Sequence, residues 1–204
     1  DDNNGTISDR FGIGVDQKIS NIFFTGAEVS GRFLRGVPFL VADNASGEAE
    51  FAKTKWTERN ARTYLNWVIN DNFNLKAEYF YEQLKRDRFN GEGNFTDLRT
   101  HTGQMMGGFF HPSGFLSRIN LKYINQSGDF WFTETDGSSP IIGAGDDFFT
   151  VDAEIGYRLS KRHGIVSIGV QNIFNQNFNY QAVDQNMPTL PKERFLFSRL
   201  TLSF

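Results

Sequence analysis

Ionisable side chains of both signs recur at alternate positions in three stretches of the sequence: Lys76, Glu78 and Glu82; Arg118 and Lys122; and Asp152, Glu154 and Arg158. A spacing of two puts side chains on one face of a β-strand. If these strands neighbour one another, the eight groups line a single polar wall. Such a wall either faces a hydrophilic solute or plug, or is held together by cross-strand ion pairs. No catalytic residue is assigned. GxSxG, HExxH and P-loop patterns are missing, and Gly143-Ala144-Gly145 runs into Asp146-Asp147 without completing GxGxxG. His101, His111 and His163 are far apart, and the last two fall in turn-like segments, which favours structural or solvated roles over metal ligation. Asp129, Glu134, Asp136, Asp146 and Asp147 offer hard oxygen ligands of the kind Ca²⁺ takes, but acidic loops are more often simply solvated. Neither a metal nor a cofactor is expected. Phe130, Trp131 and Phe132, with Phe178 and Tyr180, either contact a ligand or cap strand ends.

Composition bounds what these residues can belong to. The chain has 204 residues, a net charge of -3, 39% hydrophobic residues, 22 Phe and no Cys. Those values exclude a disordered chain and a basic nucleic-acid binder, and no nucleic-acid partner is expected. The lack of Cys excludes a disulfide framework. No run approaches the roughly 18 to 20 apolar residues of a membrane-spanning helix.

The elements that position the charges are strands. Between Thr150 and Leu159, Val151, Ala153, Ile155, Tyr157 and Leu159 interleave with Asp152, Glu154, Gly156 and Arg158. Phe73, Leu75, Ala77, Tyr79 and Tyr81 repeat the pattern against Asn74, Lys76, Glu78 and Glu82, with Phe80 as the exception. Ile119, Leu121 and Tyr123 do so against Arg118, Asn120 and Lys122. With weaker alternation at residues 10–19, 22–34, 61–69, 98–110, 165–174 and 194–204, about nine strands are predicted in a single domain over residues 1–204. Met105 and Met106 fall on opposite faces. Short turns fall near 20–21, 70–72, 111–114 and 160–164, and long polar loops at 36–51, 87–97, 127–147 and 175–192. This alternation of short turns and long loops is the pattern of outer-membrane barrels. In that phase Trp67, Tyr157 and Phe204 mark one aromatic girdle, and Phe149, Tyr81 and Trp56 the other.

The last strand, Arg194-Phe195-Leu196-Phe197-Ser198-Arg199-Leu200-Thr201-Leu202-Ser203-Phe204, resembles the C-terminal β-signal by which the barrel-assembly machinery recognises outer-membrane proteins. Upstream, Gly169-Val170-Gln171-Asn172-Ile173-Phe174-Asn175-Gln176-Asn177-Phe178 and Tyr157-Arg158-Leu159 resemble the penultimate strands of TonB-dependent receptors. The resemblance implies an antiparallel transmembrane β-barrel segment in the bacterial outer membrane, with Phe204, Leu202 and Leu200 as an assembly signal. It also implies outer-membrane lipid and the barrel-assembly machinery as partners. Complete receptors carry a plug domain and a TonB box and have far more strands, so the remaining strands are expected from an N-terminal part of the same protein, with TonB a partner if a plug precedes them. The function implied is transport or reception of a solute. The alternatives are a structural or export barrel, for example for polysaccharide, attached to a periplasmic repeat domain, and a soluble β-barrel for a small apolar ligand.

Overall fold

The computed structural model describes residues 5–42, 49–87, 95–131, 141–160, 163–181, 190–191 and 193–202. Among them run nine strands: β1 (Ile7–Lys18), β2 (Phe23–Ala42), β3 (Ala49–Val68), β4 (Phe73–Arg86), β5 (Phe95–Phe110), β6 (Phe115–Trp131), β7 (Ile141–Arg158), β8 (Gly164–Gln171) and β9 (Phe195–Leu202). They hydrogen-bond in chain order into one antiparallel sheet whose edges are β1 and β9. Because every neighbour reverses direction, β1 and β9 point the same way.

Four short connections close one end of the sheet, and local chemistry shapes them. Ser20 Oγ accepts hydrogen bonds from the amides of Ile22 and Phe23, and Asn70 Oδ1 accepts from those of Asn72 and Phe73. Between β5 and β6, Gly114 takes φ 101°. Its N–H donates to the His111 carbonyl, and its own carbonyl accepts from Arg158.

The longer connections lie at the other end, where the strands extend further than the sequence pattern predicts. The expected loop at 36–51 is largely paired, since β2 continues to Ala42 and β3 starts at Ala49. Gly36, at φ 72°, causes the discrepancy: the register shifts between Arg35 and Val37, so the period of two breaks inside a continuous strand. Likewise β6 reaches Trp131 and β7 begins at Ile141, although residues 125–131 and 141–147 lack the alternation of apolar and polar residues that signals a strand. The predicted strand at 165–174 is instead shorter. It stops at Gln171, because Asn172 (φ 50°) and Asn175 (φ 52°) form a tight turn closed by Asn175 N–H to the Asn172 carbonyl.

Register sorts the side chains onto two unlike faces. One carries Phe11, Ile13 and Val15 of β1, Val29 of β2, Leu65 of β3, Tyr79 of β4, Met105 of β5, Ile119 and Leu121 of β6, Val151 and Ile155 of β7, Ile168 of β8 and Leu200 of β9. At the level of this band the other carries the charged and amide residues, among them Glu28, Arg62, Glu78, Gln104, Lys122 and Asp152. Exposure is inverted relative to a water-soluble sheet: Phe149, Ile155 and Ile168 are 57%, 52% and 56% exposed, whereas Thr150 and Asn120 of the polar face are 4% and 9%. The polar face is concave, since one hollow of about 290 Å³ is lined both by Gln104 of β5 and by Arg199 of β9. The apolar core consists of small clusters near the long-connection end, one of Leu84, Phe95 and Leu98 with Trp56 and Phe130, the other of Ile124, Phe148 and Phe178 with Tyr180 and Leu190.

A Cβ at Gly114 would stand 2.7 Å from the Arg158 carbonyl oxygen, in a backbone conformation that L-residues resist. Gly114→Ala is therefore expected to lower the unfolding free energy by about 1–3 kcal/mol in a denaturant titration of refolded protein. Unchanged stability would contradict the turn geometry.

Candidate functional site

The eight charged residues singled out by spacing occupy the concave polar face. Lys76, Glu78 and Glu82 stand on β4, Arg118 and Lys122 on β6, and Asp152, Glu154 and Arg158 on β7. Between the two groups β5 contributes Thr100, Thr102, Gln104 and Met106, with Glu78 directly opposite Gln104. Six of the eight are compensated by ion pairs. Glu78 accepts from Arg62 Nε at 2.6 Å and pairs with Lys76; Arg118 lies 3.4 Å from Glu154, and Lys122 lies 3.8 Å from Asp152. Glu82 sits between Asn60 of β3 and Thr100 of β5. Arg158 is exposed at the short-turn end, apart from the others.

The structure adds a hydrogen-bonded relay through residues that spacing does not mark. Gln104 Nε2 donates to Asn120 Oδ1 at 2.7 Å, and Asn120 Nδ2 donates to Asp152 Oδ2 at 3.1 Å. Asp152 Oδ1 accepts the Asn172 amide at 3.0 Å, tying β5, β6 and β7 to the end of β8. Asn172 is 1% exposed, and its side-chain amide exchanges two hydrogen bonds with the backbone of Gln176. The chain beyond β8 thereby turns onto the concave face instead of continuing as a strand. There Phe178 stacks on Phe148, the Asn179 amide donates to Asp146 Oδ2, and the Gln126 side-chain amide pairs with both backbone groups of Gln181. Residues 172–181 form a strap across β6 and β7. The only sequence signal for it is the pair of asparagines able to adopt positive φ.

The other singled-out residues are dispersed. Asp146 and Asp147 project to opposite faces of β7, with Tyr123 donating to Asp147 at 3.5 Å, and Asp129 pairs across with Gly143. Glu134, Asp136 and Phe132 lie outside the described residues, among which no cluster has metal-ligand geometry. His101 bonds Tyr79 through Nδ1, and His111 bonds Ser113. Phe178 is buried in its cluster, while Phe130 and Tyr180 pack at the edges of the two clusters and also line a hollow of about 340 Å³ with Gln126, Asp146 and Asn179. Trp67 and Tyr157 lie on the apolar face near the short turns, and Tyr81 and Phe149 lie near its opposite edge. Trp56 is a correction: it belongs to the concave face, packed against the Leu84 cluster. Leu200 and Leu202 are exposed on the apolar face of β9, and Phe204 lies outside the described residues.

Compared with protein-family models, curated proteins and solved structures, the chain matches none.

Asp152 is the node of the relay, and Asp152→Ala leaves Asn120 Nδ2 and the Asn172 amide without their acceptor. The expected cost is about 1–3 kcal/mol of stability. Amide exchange at Gln176 and Gln181 is expected to rise more than at Ile168 of β8, whereas equal protection throughout would show that the strap does not depend on this carboxylate.

Proposed function

We propose that this chain is part of an outer-membrane β-barrel of the TonB-dependent-receptor type, its apolar face toward lipid and its concave polar face toward a hydrophilic solute or plug. The carrying observation is the inverted exposure of the two faces. Burying one large apolar side chain gains roughly 1.5–3 kcal/mol, and monomeric soluble proteins rarely expose apolar patches beyond a few hundred Å². A face of this extent calls for an apolar solvent. Its band runs uncharged from Phe115 to Tyr123 on β6 and from Tyr157 to Phe149 on β7. That span is about nine residues, the length with which a tilted strand crosses a bilayer's hydrocarbon layer.

The alternation of short and longer connections supports the same reading, with the short turns periplasmic. A free edge in hydrocarbon costs several kcal/mol per unpaired backbone group. Since β1 and β9 point the same way, antiparallel closure takes an odd number of further strands, which we assign to an N-terminal part of the same protein. Compensated charges on the concave wall suit passage or binding of a polar solute without a strong field of one sign. An export barrel shares all of these features, and what precedes Asp1 in the gene discriminates the two: a plug with a TonB box, or periplasmic repeats.

In lipid, Ile155→Arg is expected to destabilise by about 2–4 kcal/mol, the cost of a cation near the bilayer midplane. Met106→Arg, which lines the hollow of the concave face, serves as control. The neighbouring Gly156 is too crowded for that purpose, because a Cβ there would stand 2.9 Å from the Val166 carbonyl oxygen. Equal tolerance of Ile155→Arg and Met106→Arg in a membrane refolding assay would contradict the membrane reading.

Phe204 is proposed to act in assembly. Ending the chain at Ser203 is expected to lower outer-membrane abundance in cells much more than the stability of detergent-refolded protein, where loss of one ring costs at most roughly 1.5–3 kcal/mol. Proportionate losses in abundance and stability would reduce Phe204 to ordinary packing.

A further inference from the structure

The strap completes a hollow at the long-connection end of the concave face. Gln126 and Phe130 of β6, Asp146 of β7 and Asn179 and Tyr180 of the strap stand around a space of about 340 Å³, which Ala144 and Gly145 leave open because they add almost no side-chain bulk. The strap is pinned on both sides of Tyr180. The Asn179 amide donates to Asp146 Oδ2 at 2.6 Å, and the Gln126 carboxamide holds both backbone groups of Gln181, at 2.8 and 3.1 Å. Tyr180 also meets the Phe148 ring edge-on, with centroids 6.3 Å apart, and Phe130 meets Phe95 in the same manner at 6.5 Å. Both rings are thus held in place before any ligand arrives, and both stay partly exposed.

Asp146 is the only ionisable carboxylate in this lining, and neither Lys nor Arg joins it there. It pairs with no cation among the described residues. Arg86, on β4, has its guanidinium over the Phe95 ring at 3.7 Å. A carboxylate beside two aromatic rings selects a ligand by charge and by shape. An anion would be repelled, and a zwitterion would set its own carboxylate beside Asp146 with no cation to receive it. A bare Ca²⁺ takes roughly six to eight oxygen ligands, far more than one carboxylate supplies. A neutral solute would leave the Asp146 charge uncompensated. An organic cation answers both features, because its charge meets Asp146 while its alkyl groups lie against rings whose quadrupole attracts positive charge.

We propose that this hollow binds a quaternary ammonium ion, with Asp146 as its counter-ion and Phe130 and Tyr180 as its ring contacts. A primary ammonium would need acceptors for three N–H groups. The Gln126 carboxamide is already committed to Gln181 and to Thr100 Oγ1, whereas a quaternary nitrogen needs no hydrogen bond. The inference names a solute class for the concave face, and it rests on the reading of that face as a wall for a hydrophilic solute.

The test titrates choline into the full chain refolded in a nonionic polyoxyethylene detergent, with heat as the readout, and repeats the titration with 3,3-dimethyl-1-butanol, the uncharged carbon isostere. Choline is expected to bind at least about fivefold more tightly than the isostere, the effect of one opposite charge roughly 4 Å away even in water. Asp146→Asn, which keeps an oxygen for the Asn179 amide, should abolish that difference. Asp147→Asn, on the opposite face of β7, should change choline binding by less than about twofold, since solvent and salt screen its charge. Phe130→Leu and Tyr180→Leu should each weaken choline binding by about two- to fivefold, and Tyr180→Phe, which keeps the ring, should not. Equal binding of choline and the isostere, or unchanged choline binding in Asp146→Asn, would overturn the site. Tighter binding of glucose than of choline would overturn it in favour of a saccharide. Absence of choline binding, with Ile155→Arg still more destabilising than Met106→Arg in the membrane refolding assay, would overturn the ammonium site alone, whereas equal tolerance of those two substitutions would overturn the reading on which it rests.

Discussion

The structure depends on a period of two held in register across nine strands, because that register alone separates an apolar from a polar surface. A slip of one residue in any strand would carry its charges into the apolar band and its apolar residues onto the concave wall. In β6 and β7 the consequence would be direct, since Arg118, Lys122, Asp152 and Glu154 would leave their partners and stand beside Ile119 and Ile155. On the proposed membrane reading the two surfaces require opposite solvents, which distinguishes the observed register from a one-residue slip. Register does shift at Gly36 in the long β2–β3 hairpin and between Phe95 and Asp97 at the start of β5, and both places lie beyond the band.

Polar satisfaction on the concave side complements that constraint. Exposed ion pairs contribute little individually, about 0–1 kcal/mol. The relay from Gln104 through Asn120 and Asp152 to Asn172 differs, because Asn120 and Asn172 are buried and would each be costly to leave without partners. Through Asn172 the relay also sets where β8 ends, and with it the path of the strap that Phe178 and Gln126 anchor. Strand pairing, wall chemistry and the narrowing of the concavity are therefore coupled at Asp152.

Much of this was legible in the sequence. Clean alternation in β4, β6 and β7 placed the charged residues on one face, and Asn, Ser, Pro and Gly located the short turns. Phe80, which breaks the pattern of β4, lies on the polar face opposite Arg62 and Thr102, and Met105 and Met106 divide between the faces. What was not legible depends on contacts between distant residues or on backbone conformation. Hairpin pairing rather than amphipathicity maintains the outer halves of β2, β3, β6 and β7, so their residue patterns resemble loops. Trp56 shares its residue type with the girdle aromatics, but its position relative to the Gly36 bulge and the Leu84 cluster decides its face. The strap required two asparagines at positive φ to redirect the chain, a possibility that local sequence permits without specifying.

The central claim, that the apolar face meets lipid and the concave face meets water, can be tested residue by residue. Nitroxide labels placed singly from Phe149 to Arg158 in bilayer-reconstituted protein would report collision with oxygen, which concentrates in lipid, and with a water-soluble nickel chelate. The expected result is a two-residue oscillation in which Val151, Ala153, Ile155 and Tyr157 favour oxygen while Asp152, Glu154 and Arg158 favour nickel. An oscillation of the opposite phase, or uniform access of nickel to both sets, would contradict it.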